Sequence, residues 1–216
     1  MSKLEVYYDV ISPYSYLGLE LLKKSPLAEN LEIEILPISL GTVLGETGNP
    51  GPANIPAKRP GALFDVCLQC RRHGIEIYGP PAHPFMPMVA MRFLHAISDL
   101  SERFDMALLI NKLCWADGLA IDTEEALLAA LEGANALKDE WRDLSGFVKA
   151  NRGRQGYKQA TRAALAKNVF GVPTFRYNEI NFWGSDRLEL LELYVADPSQ
   201  FEDMHFERMM NLPSGL

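Results

Sequence analysis

Tyr8-Asp9-Val10-Ile11-Ser12-Pro13-Tyr14-Ser15-Tyr16-Leu17-Gly18 is where a strand hands over to a helix. Upstream, Leu4 to Asp9 alternates at first and then runs through Val6-Tyr7-Tyr8, a β-branched and aromatic content that suits a strand. Ser12-Pro13 is a helix start, because serine caps and proline is tolerated in the first turn. Tyr16, Leu17, Leu19, Leu21 and Leu22 supply the helix's apolar face, which ends near Ser25-Pro26. Leu31 to Ile38 sets Leu31, Ile33 and Ile35 against Glu32 and Glu34 and reads as a second strand. The opening is therefore β-α-β, which predicts parallel strands joined by a right-handed crossover.

Further out, Gly41 to Pro60 is rich in glycine and proline, and Gly48-Asn49-Pro50-Gly51-Pro52 breaks regular structure. The segment reads as a long surface loop of the kind that is often functional. From Gly61 to about Leu165 apolar residues recur at three- and four-residue spacing, as in Met88, Met91, Phe93, Leu94 and Ile97, and again in Met106, Leu109, Ile110 and Leu113. Pro80-Pro81 and His83-Pro84 interrupt this helical block. Gly171-Val172-Pro173-Thr174-Phe175 returns to strand composition, and Tyr177 to Phe182 reads as a hairpin. Ser185-Asp186 then opens a closing helix with a serine or aspartate cap. The expected division is a discontinuous sheet domain at 1–60 and 158–216 around an inserted helical domain at 61–157.

The chain has 216 residues, 48% hydrophobic and 23% charged, with a net charge of -7. That composition is ordinary for a globular chain. The acidic balance argues against nucleic acid, which needs a clustered basic surface, and leaves small-molecule ligands open. No apolar run approaches the roughly 18 residues of a membrane span. Glu5 and Asp9 interrupt the N-terminal segment, which therefore lacks the apolar core of a signal peptide. Cys67, Cys70 and Cys114 are an odd number and do not form a disulfide framework. A cytoplasmic location is expected, although Ser214-Gly215-Leu216 faintly echoes a peroxisomal address.

An α/β order of βαβ, a large all-helical insertion and ββα, with Val-Pro-Thr just before the third strand, resembles the thioredoxin fold in its DsbA-like form. In that fold a Cys-x-x-Cys sits between the first strand and first helix, and the helix N-terminus lowers the pKa of the first thiol. Here the segment is Ser12-Pro13-Tyr14-Ser15, so dithiol exchange is excluded at this position. A serine hydroxyl there can still donate to a sulfur that a ligand brings in.

Tyr8 to Gly18, Val169-Phe170-Gly171-Val172-Pro173-Thr174-Phe175 and Phe182-Trp183-Gly184-Ser185-Asp186-Arg187-Leu188 together resemble, in the right order, the 2-hydroxychromene-2-carboxylate isomerase and kappa-class glutathione transferase family. The resemblance covers roughly residues 3 to 196. It implies glutathione as cofactor and a homodimer. Ser12 would stabilise the glutathione thiolate as the catalytic residue, with Tyr14 among the cofactor contacts. Val172, before a cis Pro173, would pair its backbone with the cysteinyl part like an added strand. Ser185 would meet the γ-glutamyl carboxylate and Asp186 its ammonium, while Asn49 and Lys58 would reach the tripeptide from the loop.

The physics suffices for this role. A free thiol with a pKa of about 8.5 is about 3% thiolate at pH 7. Lowering the pKa by about two units needs about 2.7 kcal/mol. A charge-assisted hydrogen bond and a helix N-terminus are adequate to supply that.

Each signal also has a plainer reading. Ser12, Ser185 and Asp186 are all suitable caps, and Pro173 is compatible with an edge-strand trans proline. Cys67-Leu68-Gln69-Cys70 lies inside the helical block without a second pair, which favours structural thiols over redox or zinc. His73, His83, His95 and His205 show no metal-ligand spacing, so no metal is expected. Trp115-Ala116-Asp117-Gly118 resembles a segment of the isomerases and also suits simple helix termination. Lys58, Arg59 and Arg92 are candidates to meet a substrate carboxylate.

The resemblance leaves three functions open. One is glutathione-dependent cis-trans isomerisation of hydroxychromene carboxylate-like aromatic catabolites by reversible thiolate addition. The second is glutathione conjugation of electrophiles. The third is a non-catalytic thioredoxin-like module that binds peptides. Gly48 to Pro52, Cys114 to Gly118 and Trp183 look closer to the bacterial isomerases.

Overall fold

The computed structural model describes residues 2–149, 151–201 and 204–214, so the end of Ser214-Gly215-Leu216 lies outside the described residues. β1 (Lys3–Tyr8) leads into α1 (Pro13–Lys24), the one-turn α2 (Leu27–Asn30) and β2 (Glu32–Pro37). The helical segments are α3 (Leu40–Thr47), α4 (Arg59–Arg72), α5 (Met88–Ala96), α6 (Leu100–Trp115), α7 (Glu124–Gly133), α8 (Leu144–Lys149) and α9 (Asn151–Ala166). β3 (Thr174–Tyr177), β4 (Ile180–Trp183), α10 (Leu188–Ala196) and α11 (Met204–Met210) complete the chain.

The sheet order is β2-β1-β3-β4, with β1 parallel to β2 and antiparallel to β3. β3 and β4 form the expected hairpin, turning through Asn178 and Glu179 at φ 45° and 68°. Positive φ at both central residues suits the right-handed twist of the strands. Alternation divides the sheet between two cores. Leu4, Val6, Tyr8, Ile35 and Phe175 pack with α1, α6 and α10 in the larger one. Tyr7, Ile38, Val43, Val169 and Val172 pack with α3 and α9 in the smaller one.

One expectation is corrected. The segment from Gly41 to Pro60 is not a continuous loop, because α3 occupies Leu40–Thr47 and a 3-10 turn occupies Pro52–Asn54. Ser39 caps α3 by accepting from Thr42 N, and Leu40 and Val43 give the helix an inward face. Gly41 and Gly45 look into open space, so their glycine signal concealed a helical period. The irregular part shrinks to the residues around 48–58, and α4 begins at Arg59. The expected boundary between residues 157 and 158 falls inside α9. That helix turns Tyr157 into the larger core and Ala160 and Ala164 into the smaller, so it ties the two together.

Candidate active site

The strand-to-helix turn forms as its sequence dictates. Ser12 has extended backbone (φ -91°, ψ 119°), and its Oγ accepts from Ser15 N at 3.3 Å. That bond uses the oxygen as acceptor and leaves the hydroxyl proton free. Among the described residues no acceptor takes that proton. Ser15, the second serine of the motif, is fully buried and its hydroxyl has no described partner. It occupies the inner position, where a thiol needs no hydrogen bond and a hydroxyl does.

The Val172–Pro173 bond is cis, as the resemblance implies. α1 lies close against it. A Cβ at Gly18 would come within 2.9 Å of Pro173 Cγ and 3.2 Å of Phe175 Cζ, so glycine is required for this approach. Pro173 O accepts from Gly184 N at 2.9 Å. Neither the N–H nor the C=O of Val172 bonds to a described residue, which leaves a short unpaired stretch of edge. The structure thus packs α1, the helix that Ser12 caps, against both Pro173 and the Ser185–Arg187 turn.

Ser185 and Asp186 do not cap a helix. They belong to a 3-10 turn at Ser185–Arg187, and no side-chain cap bond opens it or α10. Gly184 at φ 109° makes the sharp entry, and a Cβ there would strike Asp186 Oδ1 at 2.5 Å. Ser185 is buried and its hydroxyl takes no described partner. Asp186 is half exposed and pairs with Arg187 at 2.8 Å. The turn offers a hydroxyl with first-turn N–H groups for a carboxylate, and a carboxylate for a cation.

Tyr14, Asn49 and Lys58 stand differently. Tyr14 Oη donates to Asp65 Oδ2 at 2.7 Å, with the Ala62 carbonyl at 3.1 Å, so its hydroxyl is committed to α4. Burial, with Asp65 beside it, pushes that phenol well above its ordinary pKa. Asn49 and Lys58 are exposed, at the end of α3 and the start of α4. Their side chains make no hydrogen bond or ion pair with described residues. Arg59 donates to His83 O at 3.0 Å. Arg92 lies on α5, and its buried Nε has no described partner.

Two further residues escaped the sequence reading. Trp115, at the end of α6, donates its indole N–H to Val10 O at 2.7 Å. His83 Nε2 lies 3.0 Å from Ile11 O and must donate to it, so the ring is the Nε2–H tautomer when neutral. The two rings meet edge-on at 5.5 Å. Burial lowers the His83 pKa, which favours the neutral ring, and Nδ1 is left buried without a described partner. The carbonyls just ahead of Ser12 are therefore both held from the helical side. Trp115 does more than terminate its helix.

Cys67 is exposed on α4 and Cys70 buried; both are free, and burial pushes Cys70 up to about 11. No group of three or more His, Cys, Asp or Glu among the described residues is placed to hold a metal. Among the described residues no helix is long and apolar enough to cross a membrane.

Comparison with known proteins places the fold. Residues 3–196 match the DSBA-like thioredoxin domain. The chain belongs to that family. A curated relative of this DSBA-like chain, 2-hydroxychromene-2-carboxylate isomerase of Pseudomonas putida, is 30% identical over 193 residues, 88% of this chain and 92% of that one. Glutathione S-transferase kappa 1 of Rattus norvegicus is 28% identical over 207 residues, 90% and 91% of the two chains. Among solved structures, a 2-hydroxychromene-2-carboxylate isomerase superposes with a TM-score of 0.79 at 24% identity, covering 92% of this chain and 96% of that one. The architecture is thus a DsbA-like thioredoxin fold, and its relatives include both isomerases and kappa transferases.

Proposed function

We propose that this DSBA-like chain is a glutathione-dependent isomerase of hydroxychromene carboxylate-like aromatic compounds. The observation that carries the reading is the Ser12 hydroxyl, whose proton is free at the N-terminus of the helix that packs through Gly18 against the cis Pro173. The residues present fit the tripeptide. Val172 offers an N–H and a C=O to its backbone, Ser185 and the turn N–H groups suit a carboxylate, and Asp186 suits an ammonium. Asn49 and Lys58 have uncommitted side chains in the segment between α3 and α4.

Bound glutathione supplies a thiolate that adds reversibly to a conjugated carbonyl, making a double bond rotatable until elimination restores it. The protein's part is electrostatic. Ser12 donates to the sulfur, and the first turn of α1 adds the positive end of its dipole. Trp115 and His83 hold Val10 and Ile11 in place, so the donor need not reorganise when charge develops. Asp186 exchanges its exposed partner Arg187 for the ligand's ammonium at little cost.

The same site suits conjugation, and the kappa-class relatives at 28% identity keep that reading as the second one. Thiol bookkeeping separates them. The isomerase reading expects many turnovers of a hydroxychromene carboxylate per glutathione, with the free thiol count unchanged. Turnover confined to a chloro-dinitroarene, one thiol consumed per product, would replace it with the transferase reading.

A further inference from the structure

Asp9 has a charge that the fold does not need. The residue is 1% exposed, and among the described residues no cation pairs with it. Its partners are backbone. Oδ1 accepts from Ile11 N at 3.2 Å and Oδ2 from Leu40 N at 3.0 Å, while the Asp9 carbonyl accepts from Ser12 N at 3.0 Å. Ile11 belongs to the turn that presents Ser12. Leu40 is the first residue of α3, whose far end delivers Asn49. One short side chain therefore ties the Ser12 turn to the start of α3, the helix that leads into the loop of Asn49.

The chemistry required is narrow. Two converging donors need two acceptor oxygens on a short stem. Asparagine offers one oxygen and turns an NH2 toward the other donor. A protonated aspartate likewise keeps a proton on one oxygen. Only the carboxylate offers both arms a full-strength, charge-assisted acceptor, yet burial pushes its pKa up to about 7 against the pull of the two N–H groups. Tyr8 from β1 and Tyr157 from α9 face the carboxylate, and burial raises both phenols above their ordinary pKa. Arg103 on α6 and Arg92 on α5 act on those tyrosines and not on Asp9 directly. His95 of α5 packs edge-on against Tyr157 with its pKa pushed down to about 4, and His83 holds the Ile11 carbonyl. A buried charge without a counter-ion burdens the fold. Its position between the two segments is what it offers in return.

We infer that Asp9 is a positioning residue for the glutathione site, its carboxylate coupling the Ser12 turn to α3 and the loop behind it. This rests on the glutathione reading above. The test is calorimetric binding of a thiol-free glutathione analogue, with a methyl in place of the sulfhydryl, to the intact protein between about pH 6 and pH 8.5. Wild-type affinity falls about tenfold as pH drops through the Asp9 titration, the loss of one charge-assisted bond. Asp9→Asn binds about tenfold more weakly at the upper end and has a flat profile.

Thermal melts supply a second readout. The folded-state pKa lies above the unfolded value, so the folded chain holds the extra proton between about pH 4 and pH 7, and Asp9 withdraws stability as pH rises through that window. Asp9→Asn therefore gains in Tm relative to wild type from about pH 5 to pH 8 while losing affinity. A purely structural tie would not divide the two in that way. Wild-type binding with no pH dependence overturns the proposal alone, and this arm stands even if the variant fails to fold. Equal affinity and profile in variant and wild type do the same. No binding of the analogue at any pH overturns the glutathione reading and the proposal together.

Discussion

The two turns that would hold the sulfur and the γ-glutamyl end of glutathione are built in opposite ways. The Ser12 turn is buried, capped, backed by Gly18 against Pro173, and held by Trp115, His83 and Asp9. The Ser185–Arg187 turn has no cap, and Asp186 is half exposed with only its chain neighbour as a partner. Where charge develops, donors must already be in place, so rigidity serves the chemical end. Where a zwitterion must be recognised and released, a loosely held carboxylate on the surface is sufficient. Under the proposed function, the first turn would set the reactivity of the sulfur through Ser12, and the second would set affinity for the γ-glutamyl group.

That separation is breakable by mutation. The largest effect is expected at Trp115, which is 2% exposed. Trp115→Phe leaves Val10 O without its donor and a gap beside it, costing about 2–3 kcal/mol. A urea melt should show this as a lower midpoint at unchanged slope, with turnover number falling more than KM rises. A fall in affinity alone would place Trp115 with the recognition end. A smaller effect is expected at Asp186. Asp186→Asn weakens glutathione binding about tenfold by calorimetry, the equivalent of about 1.4 kcal/mol. Its melting point stays within about a degree of wild type, because an exposed ion pair contributes little. A destabilised Asp186→Asn would erase the contrast between the two turns.

The same contrast explains what the sequence disclosed. Ser12-Pro13 was legible because capping is local: donor and acceptor are three residues apart. Asn178-Glu179 and the first two strands were legible for the same reason. His83 and Trp115 were not, because the carbonyls they hold lie 72 and 105 residues away, and nothing in a scattered histidine announces such a partner. α3 does not show in the sequence because its inward face needs only Leu40 and Val43, while Gly41 and Gly45 read as loop residues. Ser185-Asp186 carries helix-cap chemistry in its letters, yet Gly184 bends the chain so that both precede α10 rather than cap it.

The most direct measurement is the ultraviolet absorbance of the bound glutathione thiolate against pH, in wild type and in Ser12→Ala. The wild type should bring the bound thiol about two units below the free value of about 8.5. Ser12→Ala should return it upward by at least about one unit, at a stability cost of only about 1 kcal/mol for the lost cap. Superimposable titrations for the two proteins, or a wild-type titration no different from free glutathione, would contradict the assignment of Ser12 as the activating donor.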